Sequence, residues 1–409
     1  MALWRFPSPG LASYIMAMEN SDTAPKKLGL LIGGSGLIGG YLLHYFKNKT
    51  PEIDLRSPNS KKLSLRELGD IISYFKRQKP AFVINTAITT IRSDALLTYE
   101  VNYLGSINVA RAALALNIPY IHISSAATMP PGEDLTEEDH LPLSPGMSNY
   151  AKSKLMTEMT LKHMYEKYGL HYTLIRLGIV YGAHDHKIQG FNRLLYNIVD
   201  RALPFMLTKK GVKHSYSNAN KLPYFIHHVL ENRGEFSGQH FHFVDPEPVE
   251  LAKLILTIKS HMKLNTPKEI YIPYRLAKSG NNFMNGVIKL FNRLGYKASA
   301  PAELIFLENF YKTQTLSCNK LQKSSFSDPN PDATIFTELP SFIEYYTARW
   351  SHLNILSSFS SKKFGSSSSA GGEQPLSPEK MAAEEFIHSP KQLLEATQKD
   401  GISPLEEIL

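Results

Sequence analysis

The chain has a single cysteine, Cys318. No disulfide can form within it, so a cross-linked scaffold is excluded and a reducing compartment, the cytoplasm, is the expected setting. No apolar run approaches the roughly 20 residues that span a bilayer, so no transmembrane segment is expected. No dense Arg/Lys stripe is present, and a formal net charge of +8 is modest for 409 residues. Nucleic acid is therefore not an expected ligand. No internal repeat is visible. The apolar patch from Leu11 to Met18 is too short and too interrupted for a secretory signal. Residues 1–26 read instead as a disordered leader, with Met18 an alternative start. Tryptophan is scarce at 2 residues, but 21 Tyr and 20 Phe can fill a large core or line an apolar cleft. The length leaves room for two lobes and tails.

The most informative stretch present is Leu30 to Gly40, LLIGGSGLIGG. A short apolar run becomes glycine-rich at Gly33 and then enters a helix beginning at Leu37. Gly33, Gly36 and Gly39 stand at the spacing that turns a strand tightly into a helix. A side chain at Gly36 would keep a pyrophosphate from the backbone amides, and the helix N-terminus supplies those amides with a partial positive charge. A glycine-rich turn in some other α/β protein is the bland alternative. Strand before and helix after favour nucleotide binding.

Strands and helices then alternate. Leu28 to Ile32, Glu52 to Ser57, Ala81 to Thr86, Tyr120 to Ser124 and Tyr172 to Leu177 read as strands. Helices are expected from Leu37 to near Asn48, from a capping-box pattern at Ser64 to about Gln78, from Asp94 to Leu116, and from Tyr150 to Tyr168. This predicts an α/β fold of the Rossmann type, a doubly wound parallel sheet spanning residues 27–183. Residues 184–350 are expected to form a smaller substrate-binding lobe, with some segments returning to the sheet. Its expected elements are helices at Phe191 to Leu207, Leu251 to Met262 and Asn282 to Leu294, and a strand at Gln239 to Val244. Residues 351–409 read as a flexible linker and tail by composition. Plain disorder is the favoured reading there, and docking on a protein partner or another subunit is the alternative.

Tyr150 and Lys154 lie at i and i+4, on one face of a helix. A free phenol, with a pKa of roughly 10, is a poor acid or base at neutral pH. A nearby cation favours its ionised form, so the pair can exchange a proton with a carbonyl or alcohol oxygen. The spacing recurs at Tyr45/Lys49 and Tyr274/Lys278, which read as solvated helix positions. Tyr150 differs because its helix follows the strand that ends in Ser124-Ser125. A hydroxyl there can bind the same reacting oxygen.

Together these segments resemble an extended short-chain dehydrogenase/reductase of the NAD-dependent epimerase/dehydratase family. The similarity runs from about Lys27 to Trp350 and is strongest up to Gly182. It is carried by Gly33, Gly36 and Gly39, by Asn85-Thr86-Ala87, by Asn102 and Gly105, by Ile123 to Ala127, by Tyr150 and Lys154, and by Arg176 with Val180-Tyr181-Gly182. The resemblance implies that Tyr150 is the acid/base, that Lys154 lowers its pKa and holds the nicotinamide ribose, and that Ser125 orients the substrate oxygen, with Ser124 second choice. It implies that Gly33, Ser35, Gly36, Leu37, Ile38 and Gly39 surround the pyrophosphate, and that Asn85, Thr86, Ala87 and Asn102 line the cofactor.

Departures narrow the expectation. The acid and base that family dehydratases carry fall on Ala126 and Ala127. An Asn that often holds a nucleotide-sugar falls on Ile179, and the later Asp-Asp segment is degraded near Asn218 to Asn220. These changes point to the hydroxysteroid-dehydrogenase-like branch and to a small apolar ketone or secondary alcohol as substrate. The leading expectation is an NAD(P)-dependent oxidoreductase. The alternatives are an NAD-dependent sugar epimerase and a non-catalytic dinucleotide-binding scaffold. A homodimer is compatible with all three, and no metal site is expected. For the cofactor, Ser57 at the second strand's end, with Arg56 beside it and Lys61 and Lys62 close by, leans toward the 2′-phosphate of NADP over NAD. Asp54, about 20 residues past Gly33, is the rival ribose ligand.

Overall fold

A computed structural model describes residues 26–89, 93–188, 190–199, 208–264, 272–280, 308–353 and 355. The leader, the last part of the expected Phe191 to Leu207 helix, the expected helix Asn282 to Leu294 and nearly all of the tail fall outside these residues.

The first half alternates as its apolar periodicity requires. β1 (Lys27–Ile32) leads into α1 (Leu37–Lys49), then come β2 (Ile53–Arg56), α2 (Leu68–Gln78) and β3 (Phe82–Asn85). A long helix, α3, covers residues 95–115, followed by β4 (Tyr120–Ser125) and a short β5 (Gly132–Leu135). α4 (Asn149–Tyr168) is capped by Ser148 at its start and by left-handed Gly169 at its end. β6 (Tyr172–Leu177) and β7 (Ile179–Tyr181) follow.

The later part contains α5 (Gly190–Val199), β8 (Lys213–His214), β9 (Tyr216–Asn218), α6 (Leu222–Glu231) and β10 (Gln239–Phe243). It ends with β11 (Val249–Glu250), α7 (Leu251–His261), β12 (Gln314–Leu316) and α8 (Ile335–His352).

Six strands form one parallel sheet in the order β10-β6-β4-β3-β1-β2. The chain moves outward from β1 to β2, then returns to the other side of β1 for β3 and continues to β10. This is the doubly wound arrangement, and its switch point lies between β1 and β3. No described strand lies outside β2, so β2 is an edge. Leu31, Ile84, Ile123 and Ile175 face the layer of α1 and α6, where Leu42, Phe46 and Phe225 meet them. Leu30, Val83, Tyr120 and Leu174 face α2, α3 and α4, through Phe75, Val109 and Leu161. Both faces are covered, which is why these strands are apolar on both sides.

A second, four-stranded sheet has the order β11-β8-β12-β5, and β7 pairs with β9. The C-terminal helix α8 closes a separate core with α5 and α7, around Phe191, Leu254, Phe342, Tyr346 and Trp350. The expected strand near Gln239 belongs to the large parallel sheet, paired with β6.

Three local expectations are corrected. The capping-box pattern at Ser64 starts no helix. α2 begins at Leu68, and Glu67 makes no side-chain cap bond. Arg66 instead pairs with Glu100 at 2.7 Å, and Leu65 sits so close to Gly105 that a Cβ there would fall 2.8 Å from it. These contacts with α3 outweigh a local cap. The helix α3 is not uniform either, because residues Tyr99–Gly105 widen into a π-helix. Finally, Tyr45 and Tyr274 are packed, not solvated. Tyr45 bonds His227 at 3.1 Å, and Tyr274 packs at a tilt against Tyr311 with Lys278 over its ring.

Candidate active site

The glycine loop and the β3 terminus form the two walls of the switch-point crevice. Gly33 has φ of +93°, and a Cβ there would fall 2.7 Å from the backbone nitrogen of Ala87. Thr86 locks the walls together, its hydroxyl donating to the carbonyls of Ile32 and Gly33 at 3.0 and 3.2 Å. Gly39 lets α1 pack on this turn, since a Cβ would lie 2.4 Å from the Gly33 oxygen. At Gly36 the nearest atom to an added Cβ is 3.6 Å away. That face is open to a ligand. No side chain caps the N-terminus of α1 and no acid stands in its first turn. Its amides at Leu37, Ile38 and Gly39 therefore suit an anionic pyrophosphate, and Ser35 is exposed beside them. The loop fits a dinucleotide.

Beyond the loop, Ser57 accepts the amide N–H of Gly34 at 3.1 Å, which ties the end of β2 to the crevice. Asp54 lies inside β2 and pairs with exposed Arg56 at 2.7 Å; Arg56 also donates to Gln78. Asp54 is thus held by a cation of its own strand.

Asn85 and Asn102 are wholly buried and act from behind the wall. Asn85 donates to Ser106 and Tyr120 and accepts from Ala87 N–H. Asn102 accepts from Thr89 N–H at 2.8 Å and donates to Ser153 at 3.3 Å. Their polar side-chain atoms hold residues 85–89 and α4 in place. Asn102 lies in the π-helical turn of α3.

At the end of β4 the two serines point apart, as alternate strand residues must. Ser124 is buried and donates to Glu158. Ser125 accepts Ala127 N–H at 3.2 Å, and its side chain is the neighbour that pulls the pKa of the Tyr150 phenol down. Ser125 is therefore the serine that meets the tyrosine. Lys154 is 1% exposed and donates to the carbonyl of Ile123 at 2.7 Å. One helix, α4, thus delivers Tyr150 and Lys154 to alternate residues of one strand, Ser125 and Ile123.

Burial pushes the Tyr150 phenol above its ordinary value, the neighbouring Ser125 side chain pulls it back, and the Glu158 charge pushes it up further. The expected depression by Lys154 does not arise, and burial is the largest influence on the phenol. Burial also lowers Lys154 to about 8, against the opposing pull of Glu158. At neutral pH the phenol keeps its proton and is placed to give it to an oxygen held at Ser125.

The sequence reading missed Glu158. It continues the four-residue spacing of Tyr150 and Lys154, and that continuation was the available signal. Glu158 and Arg176 are each 3% exposed and form a bidentate pair, closest at 2.8 Å. Arg176 also donates to the carbonyls of Glu137 and Asp139.

Residues 30–213 match the model of the NAD dependent epimerase/dehydratase family. Over 263 residues the chain is 24% identical to GDP-L-fucose synthase of Dictyostelium discoideum, covering 59% of this chain and 82% of that protein. The fold is similar to that of Thermus thermophilus UDP-glucose 4-epimerase in complex with NAD, at TM-score 0.57 and 17% identity, over 78% of this chain and 99% of that one. It is also similar to dTDP-4-dehydrorhamnose reductase of Bacillus anthracis in complex with NADP, at TM-score 0.56 and 16% identity, over 78% and 99%. The family binds NAD or NADP. These relatives favour the sugar-nucleotide alternative over the apolar-alcohol expectation. No described helix is long and apolar enough to cross a membrane.

Proposed function

We propose that this protein is an NAD(P)-dependent oxidoreductase or epimerase that moves hydride at a hydroxyl- or keto-bearing carbon of a nucleotide-linked sugar. The observation that carries the reading is that one helix sets Tyr150 and the buried Lys154 against the end of β4, Lys154 on the carbonyl of Ile123 and the phenol beside Ser125. A nicotinamide cofactor, when bound, supplies the hydride. Ser125 orients the substrate oxygen, Tyr150 gives or takes its proton, and Lys154 holds a positive charge beneath them. Gly33, Gly36 and the first turn of α1 would hold the pyrophosphate. Ala126 and Ala127 stand where a dehydratase needs an acid and a base, so dehydration is not part of the proposal. Similarity to a GDP-L-fucose synthase and to two sugar-nucleotide enzymes supports this substrate class. Ile179, in place of a substrate-holding Asn, favours an apolar ketone or alcohol as the second reading.

For the cofactor we propose NADP(H). The Asp54–Arg56 pair is solvent-exposed and worth about 0–1 kcal/mol, so Arg56 can exchange Asp54 for a 2′-phosphate at little cost. The test is a screen of UDP-, GDP- and dTDP-linked sugars against simple ketones and alcohols, following nicotinamide absorbance and product formation. Turnover of a sugar nucleotide is expected. Turnover of apolar ketones alone would overturn the substrate class. Failure to bind either dinucleotide would overturn the enzyme reading.

A further inference from the structure

The turn that carries Ser125 is held from a distant part of the chain. Residues Ala126–Thr128 form one turn of 3-10 helix immediately after β4, with Ser125 as its N-cap. Three carbonyls of this turn and its exit converge on one atom. The side-chain amide nitrogen of Gln314 lies 3.2 Å from Ala126 O, 3.0 Å from Met129 O and 3.2 Å from Pro130 O. An amide carries two N–H donors, so the three acceptors share them.

This contact is separate from the sheet that Gln314 belongs to. The backbone of β12 is already fixed by other bonds: Gly132 N–H to Thr313 O at 2.9 Å, Ser215 N–H to Gln314 O at 3.3 Å, and Leu316 N–H to Ser215 Oγ at 2.9 Å. The Gln314 amide is free to serve the turn alone. The turn in turn sets the Ser125 rotamer, because Ala127 N–H donates to Ser125 Oγ and Thr128 Oγ1 donates to Ser125 O.

We propose that Gln314 is a positioning residue for Ser125, pinning the 126–130 turn so that the serine hydroxyl faces Tyr150. The inference rests on the hydride-transfer reading above. Its consequence is that the orientation of the serine depends on how β12 is docked, so the smaller sheet reports directly to the reacting oxygen. A residue that only braced the fold would lower activity by loss of folded protein. A pin acts through Ser125 and shows in kcat while dinucleotide affinity is kept.

The experiment uses the full chain with Gln314→Met, which keeps length and removes both donors, and Gln314→Glu, which keeps shape and sets a carboxylate against three carbonyls. Two readouts are taken. In hydrogen exchange, the amides of Ala127 to Met129 are expected to exchange about tenfold faster in Gln314→Met, with the rest of the parallel sheet unchanged. In kinetics, kcat is expected to fall about tenfold with the dinucleotide Kd unchanged, and Gln314→Glu is expected to fall further. The same Gln314→Met change in a Ser125→Ala background is expected to cost less than twofold, because the group being positioned is gone. Unchanged exchange in the turn would overturn the pin. An equal tenfold loss in the Ser125→Ala background would overturn its action through Ser125. If wild type turns over no sugar nucleotide, ketone or alcohol, the functional reading fails, and the exchange result alone decides whether Gln314 holds the turn.

Discussion

The six-stranded parallel sheet and the four-stranded sheet beside it draw on the chain in different ways. In the parallel sheet, β1, β3 and β4 each lead to a neighbouring strand by way of a helix, and the strand residues are apolar on both faces. The small sheet gathers segments of two to four residues from positions 132, 213, 249 and 314 onward. Asp134 N–H reaches Thr315 Oγ1 across 181 positions, and Gln314 reaches Met129 across 185. The parallel sheet is held mainly by burial, which is non-directional and forgiving of exact side chains. The small sheet has little area of its own and depends on specific polar bonds, each of which must find its partner. The glycine loop, Ser125 and the Tyr150 helix come from the first kind of structure. The restraints on the turn after Ser125 come from the second.

Breaking the chemistry should give the largest effect. Tyr150→Phe removes the proton donor and leaves the ring in place. We expect kcat to drop by about 10²–10⁴-fold, with dinucleotide affinity unchanged by fluorescence titration. Near-normal turnover would remove Tyr150 from the reaction.

The seam between the two regions comes next. Glu158→Gln leaves Arg176 buried without its carboxylate partner, which should cost about 3–5 kcal/mol in denaturant unfolding. A cost below about 1 kcal/mol would mean that the pair is solvated in solution and does not brace the site.

Acid should loosen the same seam more gradually. His242, on β10, receives no proton easily: burial and nearby Arg176 lower it to about 4, and its ring lies against Ser317 O, beside Glu137. An unfolded histidine titrates near 6.5. Between these values only the unfolded chain takes up the proton. The stabilisation is therefore complete above about pH 6.5 and is lost as pH falls toward 4, at up to about 1.4 kcal/mol per pH unit. His240, lowered by burial to about 3, adds in the same direction. Urea midpoints from pH 7.5 to 5 should decline, and His242→Gln should flatten the decline. A flat profile in wild type would show that these rings are protonated in the fold.

The smallest effect belongs to the exposed edge of the parallel sheet. Asp54→Asn releases Arg56 and should tighten NADPH by a few-fold while leaving NADH unchanged; Arg56→Ala should weaken NADPH by about fivefold, near 1 kcal/mol. If NADH binds better in wild type and Arg56→Ala leaves the ratio unchanged, the lean to NADP(H) is wrong.

The sequence by itself determined the parts whose information is local. The positive φ at Gly33, the close packing at Gly39, the apolar strands and the i, i+4 placing of Tyr150 and Lys154 all follow from residue type and spacing within one turn or one strand. The same local logic misled at Ser64 and at Tyr45 and Tyr274, where contacts from other elements set the outcome. Tertiary structure alone decided which serine faces the tyrosine, because Ser124 is claimed by Glu158 only once α4 lies across β4. It decided that Asn85 and Asn102 brace the crevice from within, and that the phenol stands above its ordinary pKa despite a lysine one turn away. It also brought Gln314 to the Ser125 turn. Each of these depends on desolvation or on a hydrogen bond between residues far apart in the chain, and neither is written in the spacing of a single segment.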